Sequence, residues 1–326
     1  MDITRIGVFT SGGDAPGMNA CVRAVVRTAL TYDLEVIGIR RGYAGMIEGD
    51  FVEMDGMSVS NIVQLGGTIL KSARSERFRT PEGRAEAARR LREAEIDGLI
   101  GIGGDGTLRG ASIFYEEYGV PLVGCPGTID NDLFGTDETI GYDTALNTAI
   151  ENIDRIRDTA DAHDRLFLVE VMGRDAGFIA LNSGIGGGAE LVLIPETITG
   201  MDEIKKRILS LMSAQSRSSI VVVAEGDELG GAAKIADALR GDPSFARIDL
   251  RVCILGHTQR GGSPTARDRV LASRLGTAAV EALMEGHANV MVGIIHNELR
   301  LTPSRNVWQR RKTINYELLK LTEVLS

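Results

Sequence analysis

An α/β fold of two domains, each built on a largely parallel sheet flanked by helices, is the architecture this sequence predicts. Three observations predict it. Short runs rich in Val, Ile and Leu alternate with longer stretches of helical periodicity, the pattern of β–α units in a sheet covered on both faces. Several of the short runs end in loops rich in glycine or carboxylates, and in open α/β sheets that edge is where ligands bind. The 326 residues suffice for two domains of about 150 residues each.

In chain order, Arg5 to Thr10 reads as a strand and leads into Ser11-Gly12-Gly13-Asp14-Ala15-Pro16-Gly17. The helix after that loop carries Val22, Val25, Val26, Ala29 and Leu30 as an apolar stripe, with Arg23 and Arg27 on another face. Glu35 to Arg40 is a second strand, and the stretch from Gly42 to Arg79 mixes short elements with loops. Glu82 to Ala94 is a charged surface helix. Two buried strands follow, Gly98 to Ile102 and Pro121 to Cys125, separated by a helix near Gly110 to Tyr118. A long helix spans Thr144 to Asp158.

The alternation then restarts. Strands are expected at Leu166–Val171, Leu191–Ile194, Ile220–Ala224, Val252–Leu255 and Val290–His296. Helices are expected at Ala176–Ile185, Met201–Met212, Ala232–Leu239 and Arg267–Met284, with an amphipathic helical tail from Thr302. No repeat, low-complexity segment or linker marks a domain boundary.

The net charge of −9 argues against bulk attraction to nucleic acid or an anionic membrane, though a local phosphate pocket is compatible with it. No apolar run reaches the length of a membrane span, and Met1 to Arg5 has none of the features of a signal peptide. A cytoplasmic protein is expected. Cys21, Cys125 and Cys253 sit among apolar residues and read as buried reduced thiols, with neither a disulfide frame nor metal-ligand spacing.

Gly101-Ile102-Gly103-Gly104-Asp105-Gly106 satisfies G-x-G-x-x-G after a strand and before a helix. The acidic residue a dinucleotide site needs at the end of the next strand is missing; Cys125-Pro126-Gly127 stands there. What survives is a phosphate-binding turn, in which glycines let backbone amides approach an anion. Asp105 inside that turn would repel a phosphate unless a divalent cation lay between them, so it points to Mg²⁺; the plainer alternative is a tight turn with a capping aspartate. The loop at Ser11–Gly17 lacks the Lys-Ser/Thr of a P-loop, yet two such loops at one sheet edge suit a polyphosphate.

Pro126-Gly127-Thr128-Ile129-Asp130-Asn131-Asp132 is rich in carboxylates. A calcium loop is excluded, because Phe134 and Gly141 occupy positions that need acids. A hydrated turn is the ordinary reading. As chemistry, an aspartate there would accept the proton of an attacking hydroxyl, and arginines would offset charge on a transferring phosphoryl group. Arg74, Arg165, Arg174, Arg251 and Arg260 lie in loop-like contexts. Arg260 follows His257 at a strand end and precedes two glycines, which suits a phosphate ester.

These stretches, together with Met172-Gly173-Arg174 and Gly256-His257-Thr258-Gln259-Arg260-Gly261-Gly262, resemble the bacterial-type ATP-dependent 6-phosphofructokinases, colinearly from the first strand to about Glu298. The resemblance implies transfer of the ATP γ-phosphoryl group, with Mg²⁺, to the 1-hydroxyl of fructose 6-phosphate, the committed step of glycolysis. It makes Asp130 the general base, with Thr128, Asp132 and Arg174 beside the reacting groups. Gly13, Tyr43, Arg74, Ser75, Gly104, Gly106 and Thr107 would line the nucleotide and Asp105 would hold the metal. Ile129, Met172, Gly173, Arg174, Glu225, Thr258 and Gln259 would line the sugar, with His257 and Arg260 on its 6-phosphate. Arg165 and Arg251 would reach the sugar phosphate of a neighbouring subunit, so a homotetramer with shared sites is implied.

The implied domains are 1–139 with 251–302 for the nucleotide, 140–250 for the sugar phosphate, and a helical tail at 303–326. Pyrophosphate-dependent relatives usually carry Asp at the position of Gly106 and Lys at that of Gly127; glycine at both favours ATP over the pyrophosphate alternative. Arg23, Arg27, Arg157, Gly188, Glu190 and Arg217 match an effector site for ADP or phosphoenolpyruvate. There, however, Gly56, Ala214, Ser216 and Ser218 replace expected basic residues, so blunted or altered regulation is expected. The Gly-Gly-Asp-Gly turn is shared with NAD kinases and diacylglycerol-type lipid kinases, but the carboxylate loop and the His257–Gly262 motif are not. An inactive regulatory paralogue would lack Asp105, Asp130 or Arg174, and all three are present.

Overall fold

The structure, a computed structural model, describes residues 3–163, 165–213 and 219–325. In chain order the elements are β1 (Arg5–Ser11), α1 (Met18–Thr31), β2 (Glu35–Ile39), α2 (Gly42–Glu48), β3 (Phe51–Met54), α3 (Pro81–Glu93), β4 (Gly98–Gly103), α4 (Asp105–Tyr118), β5 (Leu122–Pro126) and α5 (Tyr142–Asp161). The second series is β6 (Leu166–Val171), α6 (Phe178–Gly186), β7 (Leu191–Leu193), α7 (Met201–Ser213), β8 (Ser219–Ala224), α8 (Gly231–Arg240) and β9 (Leu250–Ile254). The chain closes with α9 (Ala266–Met284), β10 (Val290–Ile295), β11 (Glu298–Pro303), α10 (Ser304–Gln309) and α11 (Tyr316–Leu325).

Two compact units result. The first comprises 1–129, 133–144 and 260–312; the second comprises 130–132, 145–259 and 313–326. The first holds a seven-stranded sheet in the order β11-β10-β5-β4-β1-β2-β3. Its inner strands are parallel, and both edge strands, β3 and β11, are antiparallel to their neighbours. Neither edge strand is legible as such in the sequence. β11 exposes Glu298 and Arg300, charges that discourage pairing with a further strand. The registers Ser11↔Gly103 and Gly103↔Pro126 bring the ends of β1, β4 and β5 level with one another. Three motif loops thus leave one sheet edge side by side.

The helices form for local reasons. α1 is buried over most of its circumference, with Asn19, Ala20, Ala24 and Val26 buried as well as Met18, Cys21, Val22, Val25 and Ala29, and exposes Arg27 and, against the expected stripe, Leu30. α3 starts on Pro81 with the Thr80 hydroxyl accepting from the Gly83 amide, and α4 stops at Gly119 in the left-handed region. Between them Phe9, Tyr43, Phe78, Phe114 and Leu91 form one apolar cluster, in which the Tyr43 and Phe78 rings stack at 3.9 Å. Each such fully buried side chain contributes about 1.5–3 kcal/mol.

The second unit carries a parallel sheet in the order β7-β8-β6-β9, with Leu168, Leu193, Val221, Ile235 and Phe245 in its core. β9 pairs with β6 along Leu166↔Leu250 to Glu170↔Ile254, so residues 251–259 stay with this unit and the return to the first comes at Arg260. The sequence expectation had put that return near 251. Residues 303–312 of the expected separate tail belong to the first unit, and α11 to the second, where it packs on α6 and β7. Cys21 and Cys125 are buried as expected, whereas Cys253 is only half-buried, because β9 is an edge strand. Among the described residues no helix is long and apolar enough to cross a membrane.

Candidate active site

In the first unit the glycine loops are tied into a single assembly. The Thr10 hydroxyl donates to the Lys71 carbonyl and lies 2.9 Å from the Thr68 hydroxyl, while Ser72 donates to the Gly12 carbonyl at 2.5 Å. These bonds hold the 66–75 segment against β1 and leave Arg74 exposed. The Ser75 hydroxyl accepts from the Phe78 amide at 3.3 Å. Gly13 lies under the Arg260 guanidinium, where any Cβ would collide with it, and Arg260 Nη1 donates to the Asp14 carbonyl at 3.3 Å. Arg260 therefore spans the first loop.

Gly104 is the extended residue that starts α4, so Asp105 stands exposed at a helix N-terminus beside open space at Gly106. Thr107 is buried, its hydroxyl packed over Gly103 and Gly12. Tyr43 is buried too, and donates its hydroxyl to the Thr107 carbonyl at 2.6 Å; burial raises its phenol well above the usual range. Its hydroxyl braces the turn.

Among the described residues no three His, Cys, Asp or Glu side chains cluster as a metal cage. One exposed carboxylate beside a phosphate turn suits Mg²⁺, which keeps several waters and binds through one or two carboxylates plus substrate phosphates. The donor set fits that ion.

The neck of the carboxylate loop is closed by three hydrogen bonds. Gly127 donates to the Gly103 carbonyl at 3.0 Å and Ile140 to the Pro126 carbonyl at 2.8 Å. The Thr139 hydroxyl donates to the Thr128 carbonyl at 2.6 Å, and Gly127 and Ile140 form a parallel bridge. Thr128 and Ile129 are buried, and the chain passes into the second unit at Asp130.

In the second unit Asp130 is 1% exposed and pairs with Arg174, Nε to Oδ2 being 3.3 Å. Asp132 is half-buried. Asn131 (φ 54°) and Arg174 (φ 51°) are both left-handed, a conformation that non-glycine residues avoid unless their surroundings impose it. The Glu225 carboxylate accepts from the amides of Gly173 at 3.2 Å and Arg174 at 2.8 Å. This fixes the turn that carries Arg174. Gly226 is pressed against the Arg174 carbonyl, where no side chain would fit.

His257 and Thr258 are exposed, but the Thr258 hydroxyl donates to the Leu255 carbonyl. Gln259 is fully buried: its amide donates to the Gly256 carbonyl at 3.1 Å and accepts from the Met172 amide at 3.4 Å. Gln259 therefore joins the 256–260 turn to the start of the Met172–Arg174 turn, a bracing position that the motif alone does not convey. Met172 is itself buried.

Arg165 and Arg251 stand elsewhere. Both grip Asp249, Arg165 Nε at 2.7 Å and Arg251 Nε at 2.8 Å, and the Arg165 bond holds the Asp249 carboxyl below its usual range. They lie at the amino end of β6 and β9, whereas Met172–Arg174 follows the carboxyl end of β6. Six strand residues at about 3.3 Å each put roughly 20 Å between Arg165 and that turn.

Of the residues matched to an effector site, Arg23 is half-buried and Arg27 exposed on α1 in the first unit. In the second, Arg157 pairs with Glu190 at 3.2 Å and donates to the carbonyls of Gly187 and Gly188. Gly56 faces open space. Arg217, with Ala214, Ser216 and Ser218, lies outside the described residues.

Residues 5–283 match the family model described as phosphofructokinase. The chain is 58% identical over 322 residues to an ATP-dependent 6-phosphofructokinase 1 of Thermus thermophilus, covering 99% of both chains. It is 56% identical over 322 residues to an ATP-dependent 6-phosphofructokinase of Cytophaga hutchinsonii, covering 99% of this chain and 98% of that one. Among solved structures, it superposes on a phosphofructokinase of Saccharomyces cerevisiae with a TM-score of 0.86 and 37% identity, covering 98% of this chain and 46% of the yeast chain. The present chain thus spans less than half of that yeast chain.

Proposed function

The chain belongs to the phosphofructokinase family, and we infer that it transfers the γ-phosphoryl group of ATP to the 1-hydroxyl of fructose 6-phosphate in glycolysis. The observation that carries the mechanism is the buried Asp130 beside Arg174. Asp130 takes the proton of the 1-hydroxyl as that oxygen attacks, the task of a general base held at a fixed position. Arg174, on a turn fixed by Glu225, offsets charge on the transferring group. Thr128 and Asp132 flank the base on the same loop.

The amides of the Gly103–Thr107 turn and the Ser11–Gly17 loop bind the phosphate chain, with Arg74 and Ser75 beside it. Asp105 would hold Mg²⁺, which would supply positive charge to offset that on the phosphate oxygens. His257 and Arg260 bind the 6-phosphate, as the family resemblance implies, an arginine being suited to a phosphate ester. The relatives at 53–58% identity are named ATP-dependent, and glycine at 106 and 127 accords with that donor.

Arg165 and Arg251 serve the sugar phosphate of a neighbouring subunit. Their distance along β6 from the Arg174 turn of their own chain supports this, as does the carboxylate that orients both guanidinium groups. The working form is therefore a homo-oligomer, a tetramer by the family resemblance, in the cytoplasm. ADP and phosphoenolpyruvate regulate it weakly, since Arg157 is engaged with Glu190 and fewer cations are available. A sigmoidal fructose 6-phosphate response fully abolished by ADP counts against weak regulation.

The deciding experiment is a coupled assay with fructose 6-phosphate, Mg²⁺ and either ATP or pyrophosphate. Turnover with ATP is expected; turnover with pyrophosphate and none with ATP refutes the donor.

A further inference from the structure

Outside the residues above, one fully buried carboxylate stands at the meeting point of three motif loops. Asp268 lies in the first turn of α9 and is 0% exposed. One oxygen accepts from the Gly141 amide at 2.8 Å; the other accepts from the Thr144 amide at 2.8 Å and the Thr144 hydroxyl at 2.5 Å. It therefore caps the start of α5, a helix other than its own, and lies where the positive ends of two helices favour an anion. The cap is reciprocal: Thr144 Oγ accepts from the Thr265 amide at 3.0 Å, and the Thr265 hydroxyl donates to Asp143 at 2.6 Å.

Gly141 is where the carboxylate loop ends. Its φ is 99°, and a Cβ there would lie 2.6 Å from the Ala15 Cβ and 3.2 Å from Pro16. A Cβ on Gly17 (φ 106°) would lie 2.8 Å from Ile140 and 3.6 Å from the Asp268 Cβ. The Ser11–Gly17 loop, the exit of the 127–141 loop and the helix that continues the 257–262 motif are thus packed together around one side chain. Burial makes its ionised form costly and pushes its carboxyl up to about 6.

We propose that Asp268 is a positioning residue for phosphoryl transfer: by fixing Gly141 and Thr144 it sets the register of the 127–141 loop, and so the place at which the chain delivers Thr128 and Asp130. The inference rests on Asp130 being the base. A displacement of about 1 Å at a reacting group can cost about 100-fold in rate, so the register of this loop is a kinetic variable.

The test compares D268N, T144V, T144S and D130N as purified, assembled full-length enzymes in the ATP-coupled assay. Expected is a kcat for D268N lowered about 10- to 100-fold with the KM values for ATP and fructose 6-phosphate little changed, as befits a loss confined to the transition state. T144V should share the defect in smaller measure, and T144S, which keeps the hydroxyl, should be close to wild type. If D268N fails to fold, the contrast between T144V and T144S decides alone. Equal kcat per folded enzyme in wild type, D268N and T144V, with only thermal stability lowered, overturns the proposal; so does an identical loss in T144V and T144S. A D130N enzyme with undiminished kcat refutes the base reading instead, whereas a lowered D130N beside an unchanged D268N refutes the positioning role alone.

Discussion

Arg174 Nε lies 3.3 Å from Asp130 Oδ2, and the two residues reach that distance on backbones held in the left-handed region at Asn131 and at Arg174 itself. The pair is asymmetric: the aspartate is almost wholly buried, while the arginine side chain keeps 45% of its exposure. An arginine so placed can exchange contact with the carboxylate for contact with a bound phosphoryl group.

Asp130→Asn should therefore lower kcat about 100- to 10,000-fold, the usual scale for a lost general base, with little change in KM. Arg174→Ala should lower kcat and also raise the KM for fructose 6-phosphate. Steady-state kinetics on both variants checks this, and an Asp130→Asn enzyme of normal kcat would falsify the role.

Gly106 and Gly127 should respond differently to substitution. A Cβ on Gly106 meets nothing within 4 Å, so Gly106→Asp should fold normally. Its added charge beside the phosphate chain should lower kcat/KM for ATP at least tenfold, since like charges brought together cost about 1–3 kcal/mol or more. A Cβ on Gly127 would sit 3.0 Å from Ile102 and 3.1 Å from Met18, so Gly127→Ala should lose about 1–3 kcal/mol of stability. Thermal melts beside ATP kinetics separate the two effects; a destabilised Gly106→Asp contradicts the first.

The proposed sharing of active sites between subunits makes a complementation prediction. Asp130→Asn and Arg251→Ala should each be nearly inactive alone. Hybrid oligomers made by co-expression contain sites with Asp130 from one subunit and Arg251 from another, and should regain activity above the sum of the parents. Activity equal to that sum would mean that Arg251 serves no neighbouring site.

Asp268 gives stability a particular dependence on pH. Its folded carboxyl is pushed up to about 6 from an ordinary 3.8 by burial, and Asp143 adds to the rise, while bonds from Thr144 and Gly141 oppose it. Arg267, engaged with Glu138, is the nearby cation. The folded state thus holds the proton more tightly than the unfolded chain. The contribution of Asp268 is fully present below the unfolded value and is lost as pH rises through the folded one, with a span of about 3 kcal/mol. Denaturant melts should show wild type losing ground to Asp268→Asn between about pH 4 and pH 7. A difference constant across that window refutes the titration.

The motif loops were legible because each is a short contiguous stretch of the chain. Asp105, Asp130, Arg174 and Arg260 each sit in a loop whose glycines or carboxylates are unusual enough to mark it. Gln259 was legible as a member of a motif and Tyr43 only through the family resemblance, while their inward-facing bonds were not, because neither reveals which way a side chain turns. Asp268 lies in no motif of the sequence. Its one local signal is Thr265-Ala-Arg-Asp268, a helix-start pattern in which the acid would be expected to cap its own helix. The placement of β9 was lost for a related reason: a short apolar run specifies a strand but not its partners.

The sequence by itself determined the alternation of strands and helices, the loops that end the strands, and the chemistry those loops carry. Periodicity and loop composition are local properties, written within a few residues. Only the tertiary structure decided that Ser11, Gly103 and Pro126 end level on adjacent strands. It alone gave β9 to the second sheet, and paired the Asp268 carboxylate with Gly141 and Thr144 more than 120 residues away in sequence. Those outcomes depend on which strands pair and which buried polar groups find partners, and that is settled by packing the whole chain.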